Sequence, residues 1–178
     1  ARIAPEISED ADTVIDLQGK SAAPGFIDVH SHNDWFAIHK NSLPYFEPFI
    51  RQGITTFVTG NCGLSSIGFE DGTPHLDKIG GGLFGYRGQT DGVYPDAKRF
   101  FEAVDGRVPC NIAVLAGHCS ARASVAGDAN RRLTPEEEAR MLGILEENLR
   151  QGAAGVSLGL MYNPGMFADE EEIRKVVE

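Results

Sequence analysis

The feature that most constrains the fold is an alternation of short apolar runs with amphipathic segments. Residues 24–29, 53–59, 110–116 and 156–160 are apolar runs of strand length, and each leads into small or polar residues. Between the runs, apolar residues recur at helical spacing. Strands that alternate with helices along a chain favour a parallel sheet. The sequence therefore predicts an α/β fold with four strand-helix units.

The strongest helix signal begins at Thr134. A threonine followed by Pro135 and then by Glu137 is typical of a capped helix N-terminus, because hydroxyl and carboxylate each accept a hydrogen bond from the other residue's backbone N–H. The pattern predicts a helix through Arg150, with an inward stripe of Leu142, Leu145 and Leu149. A further helix is expected over 169–177, with Ile173, Val176 and Val177 facing inward.

The first apolar run leads into a pair of histidines. His30 and His32 are two positions apart, and strand side chains alternate between faces, so both imidazoles should point to the same side. Two neutral imidazoles at a strand end can share a divalent cation, and histidine is a common zinc ligand. The alternative is a pair of polar residues that close the strand and bond to backbone or water.

A cysteine follows the second run. Cys62 lies in the small-residue turn 60–63, directly after the predicted strand. The carboxyl ends of neighbouring parallel strands lie roughly 5 Å apart, so Cys62 can approach His30 and His32. These three side chains are the candidate metal ligands, and a thiolate beside a dication would be deprotonated. The alternative for Cys62 is a free thiol that packs as a small hydrophobe.

A histidine also follows the third run. The run 110–116 is closed by Gly117, which places His118 at the same predicted mouth as the first two histidines. His118 could bind substrate or support a metal ligand, and a structural imidazole is the alternative.

The segment 64–95 is rich in Gly, Asp, Thr and Pro and has no regular period, so we expect a long loop that covers the substrate.

Composition excludes several classes of protein. The formal net charge of -10 argues against nucleic-acid binding, which needs clustered Lys and Arg. No run of 18 apolar residues and no secretory leader is present, so we expect no membrane insertion and a cytoplasmic protein. Cys62, Cys110 and Cys119 have no C-x-x-C spacing, which favours reduced thiols over a disulfide framework.

Four sequence blocks together carry a family resemblance. PGFIDVHSHND at 24–34, GITTFVTGNCG at 53–63, AGHCSAR at 116–122 and the segment 152–165 are similar, in this order, to the amidohydrolase superfamily. The match is to its N-acyl-D-amino-acid deacylase branch. Many binuclear amidohydrolases bridge their metals with a carbamylated Lys at the fourth strand, and the chain has no Lys there. In the deacylase branch the second-strand cysteine, here Cys62, takes that role.

The resemblance implies a fold larger than this chain. A (β/α)8 TIM-type barrel takes about 250 residues, whereas the chain has 178. We therefore expect the N-terminal half of the barrel, with its first four β/α units over 25–178. Residues 1–24 would form short strands of a partial small β domain, a β-sandwich that the family builds from both ends of its chain.

The resemblance also implies a chemistry. A family member would hydrolyse the amide of an N-acyl-D-amino acid with one or two Zn²⁺ ions, held here by His30, His32 and Cys62. Further histidines and the general acid/base Asp belong to later strands that the chain lacks. The catalytic group is thus unknown, and we expect the chain alone to be inactive or to bind metal weakly.

Three further residues are predicted to contact the substrate, namely His118, Arg122 and Tyr162. Arg122 could meet a carboxylate, or else form an ordinary ion pair. Tyr162 resembles a family position near the carboxylate of the bound amino acid, and its alternative is a packed ring whose hydroxyl meets water.

Two other functions remain open at this point. A cyclic-amide hydrolase of the dihydroorotase or hydantoinase kind shares the H-x-H opening, although the Asn-Cys-Gly turn disfavours it. A non-enzymatic half-barrel could instead self-associate through its open strand edges, as a homo-oligomer or with a complementing C-terminal half.

Overall fold

Parallel strands form the centre of the molecule. The computed structural model describes residues 3–8, 10–79 and 94–178. Strands β1 (Phe26–Asp28), β2 (Ile54–Thr59) and β3 (Asn111–Val114) pair in parallel in that order. A second parallel pair joins β4 (Ala116–Gly117) to β5 (Val156–Ser157).

Backbone hydrogen bonds link the two strand groups at Leu115. Its N–H donates to the carbonyl of Thr59 on the β2 side at 2.9 Å. On the other side, Ala154 N–H donates to Val114 O at 2.8 Å and Ala116 N–H to Gly155 O at 2.9 Å. The chain through β3 and β4 therefore changes partner from β2 to β5, and the strand segments lie side by side in sequence order. The predicted α/β class is confirmed.

Six helices are described: α1 (Asp34–Ala37), α2 (Leu43–Ile50), α3 (Ala97–Val104), α4 (His118–Ala126), α5 (Pro135–Arg150) and α6 (Glu170–Val177). The sequence did not predict α4. Every residue of this helix except Ala126 is buried, and it mixes small, polar and charged side chains, so it shows no apolar stripe.

The capped start of α5 is confirmed, and its predicted stripe is correct for Leu142 and Leu145 but not for Leu149. Thr134 and Glu137 form both hydrogen bonds of the capping box. The buried residues of the helix are Met141, Leu145 and Asn148, whereas Leu149 is 43% exposed. The amide of Asn148 explains the rotation, because its Oδ1 accepts from the backbone N–H of Ala97 at the start of α3, at 2.9 Å. In α6, Val177 is likewise exposed and not inward.

The short strands predicted for the N-terminal segment are absent from the described part of residues 1–24. Val14 and Ile15 are 86% and 76% exposed there. A strand needs a neighbour to accept and donate its backbone hydrogen bonds, and among the described residues nothing pairs with this segment. A domain boundary at residues 24 and 25 stays a prediction.

The predicted loop 64–95 is only partly described. Residues 63–69 are buried, so its first part belongs to the packed interior. Residues 80–93 lie outside the described ranges, and the covering role predicted for the loop stays a prediction. Within the described ranges, no helix is both long and apolar enough to cross a membrane.

Candidate metal centre

His30, His32 and Cys62 meet at the carboxyl ends of β1 and β2. Their ligand atoms all lie within 4.8 Å of one another. The Cys62 sulfur is 3.4 Å from Nε2 of His30. His30 is exposed, and the other two side chains are half-buried, so the cluster opens to solvent on one side. The structure thus brings together all three predicted ligands.

The donor set fits zinc in kind and in spacing. Zinc binds His nitrogen at about 2.0–2.1 Å and Cys sulfur at about 2.3 Å, and tetrahedral angles then separate N from S by about 3.5 Å. The 3.4 Å between Cys62 and His30 agrees with that separation. Three protein ligands with an open side are typical of catalytic rather than structural zinc sites.

The turn that carries Cys62 has an unusual backbone. Gly60, Cys62 and Gly63 all have positive φ, at +77°, +58° and +71°. Only glycine adopts this region without cost, so Cys62 is held in a conformation that a cysteine rarely takes. Asn61 fixes one side of the turn, because its Nδ2 donates to Val58 O at 3.1 Å and to Ser31 O at 3.3 Å.

Ser157, at the end of β5, bonds to both ends of the same turn. Its hydroxyl donates to the carbonyl of Gly60 and accepts from the backbone N–H of Gly63 at 3.0 Å. Sequence reasoning missed this residue. One signal was available in the sequence. Ser157 is the single hydroxyl residue in the apolar run 156–160, and the other runs also carry polar residues where their strands end.

A buried carboxylate lies behind the second histidine. Asp34 accepts hydrogen bonds from the hydroxyl of Thr59 and, at 2.7 Å, from the backbone N–H of Ser66. Burial raises the pKa of Asp34. Burial also lowers the pKa of His32, against an opposing effect of Asp34, and this favours the neutral imidazole that a metal requires.

His118 and Arg122 lie on α4 and are fully buried. Oε1 of Glu172, from α6, is 2.8 Å from Nε2 of His118 and 2.9 Å from Nε of Arg122. Burial on its own raises the pKa of Glu172, but the hydrogen bonds from both partners outweigh it and hold the pKa below its usual range. Sequence reasoning missed Glu172, because this residue directly follows two exposed glutamates.

This pairing supports the structural alternatives for both residues. Arg122 also donates through Nη2 to the carbonyls of Arg131, at 2.8 Å, and of Phe167, at 3.3 Å. A substrate contact by His118 or Arg122 stays a prediction. So does one by Tyr162, which follows β5, is 39% exposed and bonds through its N–H to Gly159 O at 3.1 Å.

The cysteines are all free thiols, as predicted. Burial raises the pKa of Cys110 and of Cys119 to about 11. Both thiols are therefore protonated near neutral pH and suit a structural role. Cys62 is the one cysteine that lies in the candidate metal-ligand cluster.

A His, His, Cys cluster on the carboxyl edge of a parallel sheet is the arrangement of a metal-binding α/β protein. Comparison with known families agrees with that class. The chain belongs to the amidohydrolase family, whose sequence profile matches residues 13–178.

Individual relatives narrow the resemblance to deacylases. The chain is 39% identical over 168 residues to a D-aminoacylase of Alcaligenes xylosoxydans xylosoxydans, covering 93% of this chain and 33% of that protein. It is 37% identical to an N-acyl-D-aspartate deacylase of the same organism, with coverages of 93% and 32%. The chain thus spans about a third of the length of these relatives.

Solved structures give the same result. A zinc-bound N-acyl-D-glutamate deacylase from Bordetella bronchiseptica, complexed with a phosphonate inhibitor, superposes with a TM-score of 0.70 at 34% identity. The match covers 86% of this chain and 31% of that one. A D-aminoacylase structure described as defining a novel subset of amidohydrolases gives 0.65 at 33% identity, with the same coverages. The predicted resemblance to the deacylase branch is confirmed.

Proposed function

We propose that the chain is part of a zinc-dependent hydrolase that cleaves the amide of N-acyl-D-amino acids. The observation that carries this proposal is the His30, His32 and Cys62 cluster, whose spacing suits zinc. The deacylase relatives supply the substrate class.

When bound, zinc would polarise the scissile carbonyl and lower the pKa of a water molecule. The residues of this chain prepare the site for it. Burial lowers the pKa of His32, which favours its neutral form, and the turn brings the Cys62 sulfur close to His30. His30 is exposed, so one side of the cluster faces solvent. The substrate amide would approach from that side.

We further propose that the chain forms the N-terminal half of a (β/α)8 barrel within a longer protein. In the described part of the chain, β1 has a strand neighbour on one side only. Phe26, Ile27 and Val29 on and beside it are 68%, 60% and 68% exposed. Apolar side chains on an open strand edge suit a covering segment, for which we propose the C-terminal half of a longer polypeptide. Residues 1–24 would join their small β domain in the same assembly.

The proposal predicts that the two halves of the barrel supply different groups to the active site. This chain supplies three metal ligands, while the catalytic acid/base would come from the covering half. The isolated chain should then bind zinc without hydrolysing substrate, because the family resemblance places the general acid/base Asp on a later strand.

Metal analysis and an enzyme assay test the proposal together. The purified chain should hold zinc, and a longer polypeptide that contains it should release acetate from N-acetyl-D-methionine and not from the L-enantiomer. Dihydroorotate and a hydantoin serve as cyclic-amide comparisons, and preferential turnover of either would replace the deacylase assignment. A chain that binds no zinc and forms stable dimers through β1 would instead support a self-associating half-barrel.

A further inference from the structure

The hydroxyl of Ser157 forms hydrogen bonds with both ends of the Cys62 turn. We propose that Ser157 is a positioning residue, which holds this turn in the shape that presents the Cys62 sulfur to a metal. The inference rests on the proposed metal site, which it deepens by adding a contribution from β5.

The turn needs external support because its backbone is costly. The left-handed region is unfavourable for an L-residue, and such conformations persist where the surroundings enforce them. Cys62 has φ +58° between two further positive-φ positions, Gly60 and Gly63. Without restraint at its ends, the turn would relax towards commoner angles and move the sulfur away from His30.

Ser157 restrains both ends with one atom. Its Oγ accepts from Gly63 N–H at 3.0 Å and donates its proton to Gly60 O. Ser157 is 9% exposed as a residue, so these bonds have little competition from water. With its proton donated and a lone pair accepting, the hydroxyl acts through the turn and not as a metal ligand.

The backbone beyond Ser157 packs against the same turn. A Cβ added at Gly159 would lie 1.9 Å from the carbonyl oxygen of Cys62, a distance that shows how closely the two segments approach. The hydroxyl of Ser157 is therefore part of a continuous contact between the end of β5 and the Cys62 backbone.

The experiment is a Co²⁺ titration of the whole chain, followed by the thiolate-to-cobalt charge-transfer absorption. This band reports Cys62 ligation directly and is independent of enzyme activity. In Ser157→Ala, Gly60 O and Gly63 N–H lose their shared partner, and we expect Co²⁺ affinity to fall about tenfold or more, with a weaker band. Ser157→Thr keeps the hydroxyl and should restore both.

Ser124→Ala is the matched control. Its hydroxyl is also buried and also joins an N–H to a carbonyl, accepting from Glu70 N–H at 3.0 Å and donating to Ala121 O at 2.7 Å. This variant loses the same chemical contacts away from the turn and should bind Co²⁺ like the wild type.

The possible results distinguish failure of the metal site from failure of the role of Ser157. A wild-type chain without the charge-transfer band overturns the metal site, and the role of Ser157 with it. A wild-type band that Ser157→Ala leaves unchanged in strength and affinity overturns the role of Ser157 alone. If Ser157→Ala loses the α/β circular dichroism spectrum, Ser157→Thr and Ser157→Val replace it, because they share a shape and differ in the hydroxyl. Equal Co²⁺ binding by that pair would then reject the inference.

Discussion

The Cys62 sulfur lies 3.4 Å from Nε2 of His30, although 32 residues separate them in the chain. Parallel pairing of β1 with β2 produces this proximity, because it places both strand ends on one edge of the sheet. The positive-φ turn then directs the thiol sideways towards the histidines. Both the strand pairing and the turn therefore contribute to the short distance between the thiol and the imidazole.

Removal of the thiol should abolish tight zinc binding. Loss of a group that merely orients a ligand typically costs 10–100-fold in affinity, so we expect Cys62→Ala, which removes a ligand, to cost about 100-fold or more. Cys110→Ala is the control, because Cys110 lies outside the ligand cluster. The test measures by atomic emission how much zinc each chain retains after dialysis. Equal zinc contents in the two variants would contradict the proposed site.

A methyl group at Gly159 should disturb the Cys62 turn. The added Cβ would lie 1.9 Å from Cys62 O, a backbone atom that cannot move without shifting the turn. We expect Gly159→Ala to lower both the melting temperature and zinc affinity. Gly143→Ala should have the opposite effect, because this α5 position has open space around it. The higher helix propensity of alanine should raise the free energy of unfolding by about 0.5–1 kcal/mol. Thermal unfolding of both variants should show shifts of opposite sign.

Neutralising Glu172 should destabilise the fold. Glu172→Gln leaves the guanidinium of Arg122 buried without its carboxylate, and breaking a buried ion pair in this way costs about 3 kcal/mol. Glu171→Gln removes a neighbouring carboxylate whose partner Arg174 is half exposed, so little change is expected. Urea unfolding measures the difference, and similar midpoints for both variants would show that the buried network contributes little.

The acid side of the stability curve should depend on Glu137. Hydrogen bonds from Arg131, against the opposing effect of burial, lower the pKa of Glu137 to about 2. A carboxylate with a lowered folded-state pKa adds stability above its unfolded pKa, and that stability is lost as pH falls towards about 2. Glu137→Gln should therefore flatten the decline of unfolding free energy between about pH 4.5 and pH 2.

Glu136→Gln is the control for this pH effect. It removes a carboxylate from the same helix turn and leaves the contact between Arg131 and Glu137 in place. Unfolding free energies at several pH values, from denaturant titrations, would compare the two variants. A decline as steep in Glu137→Gln as in the wild type would show that other groups control acid unfolding.

Local patterns predicted the elements that local forces form. The capping box at Thr134 and Glu137 could be read from the sequence because its bonds close within four residues. The α5 stripe was predicted only in part, because Asn148, a polar residue, is buried where its amide bonds to the start of α3 and Leu149 is exposed instead. The sequence did not predict α4, because the helix is buried on all sides and so has no apolar stripe at helical spacing.

The sequence alone determined the class of fold and the three candidate ligands, because strand periodicity and the identities of His30, His32 and Cys62 are local facts. Only the tertiary structure decided which residues support them. It assigned Ser157 to the Cys62 turn across more than 90 residues and Glu172 to His118 across 54. Such partners are chosen by the packing of distant segments, which brings a hydrogen-bond donor and an acceptor together in a way that no spacing along the chain records.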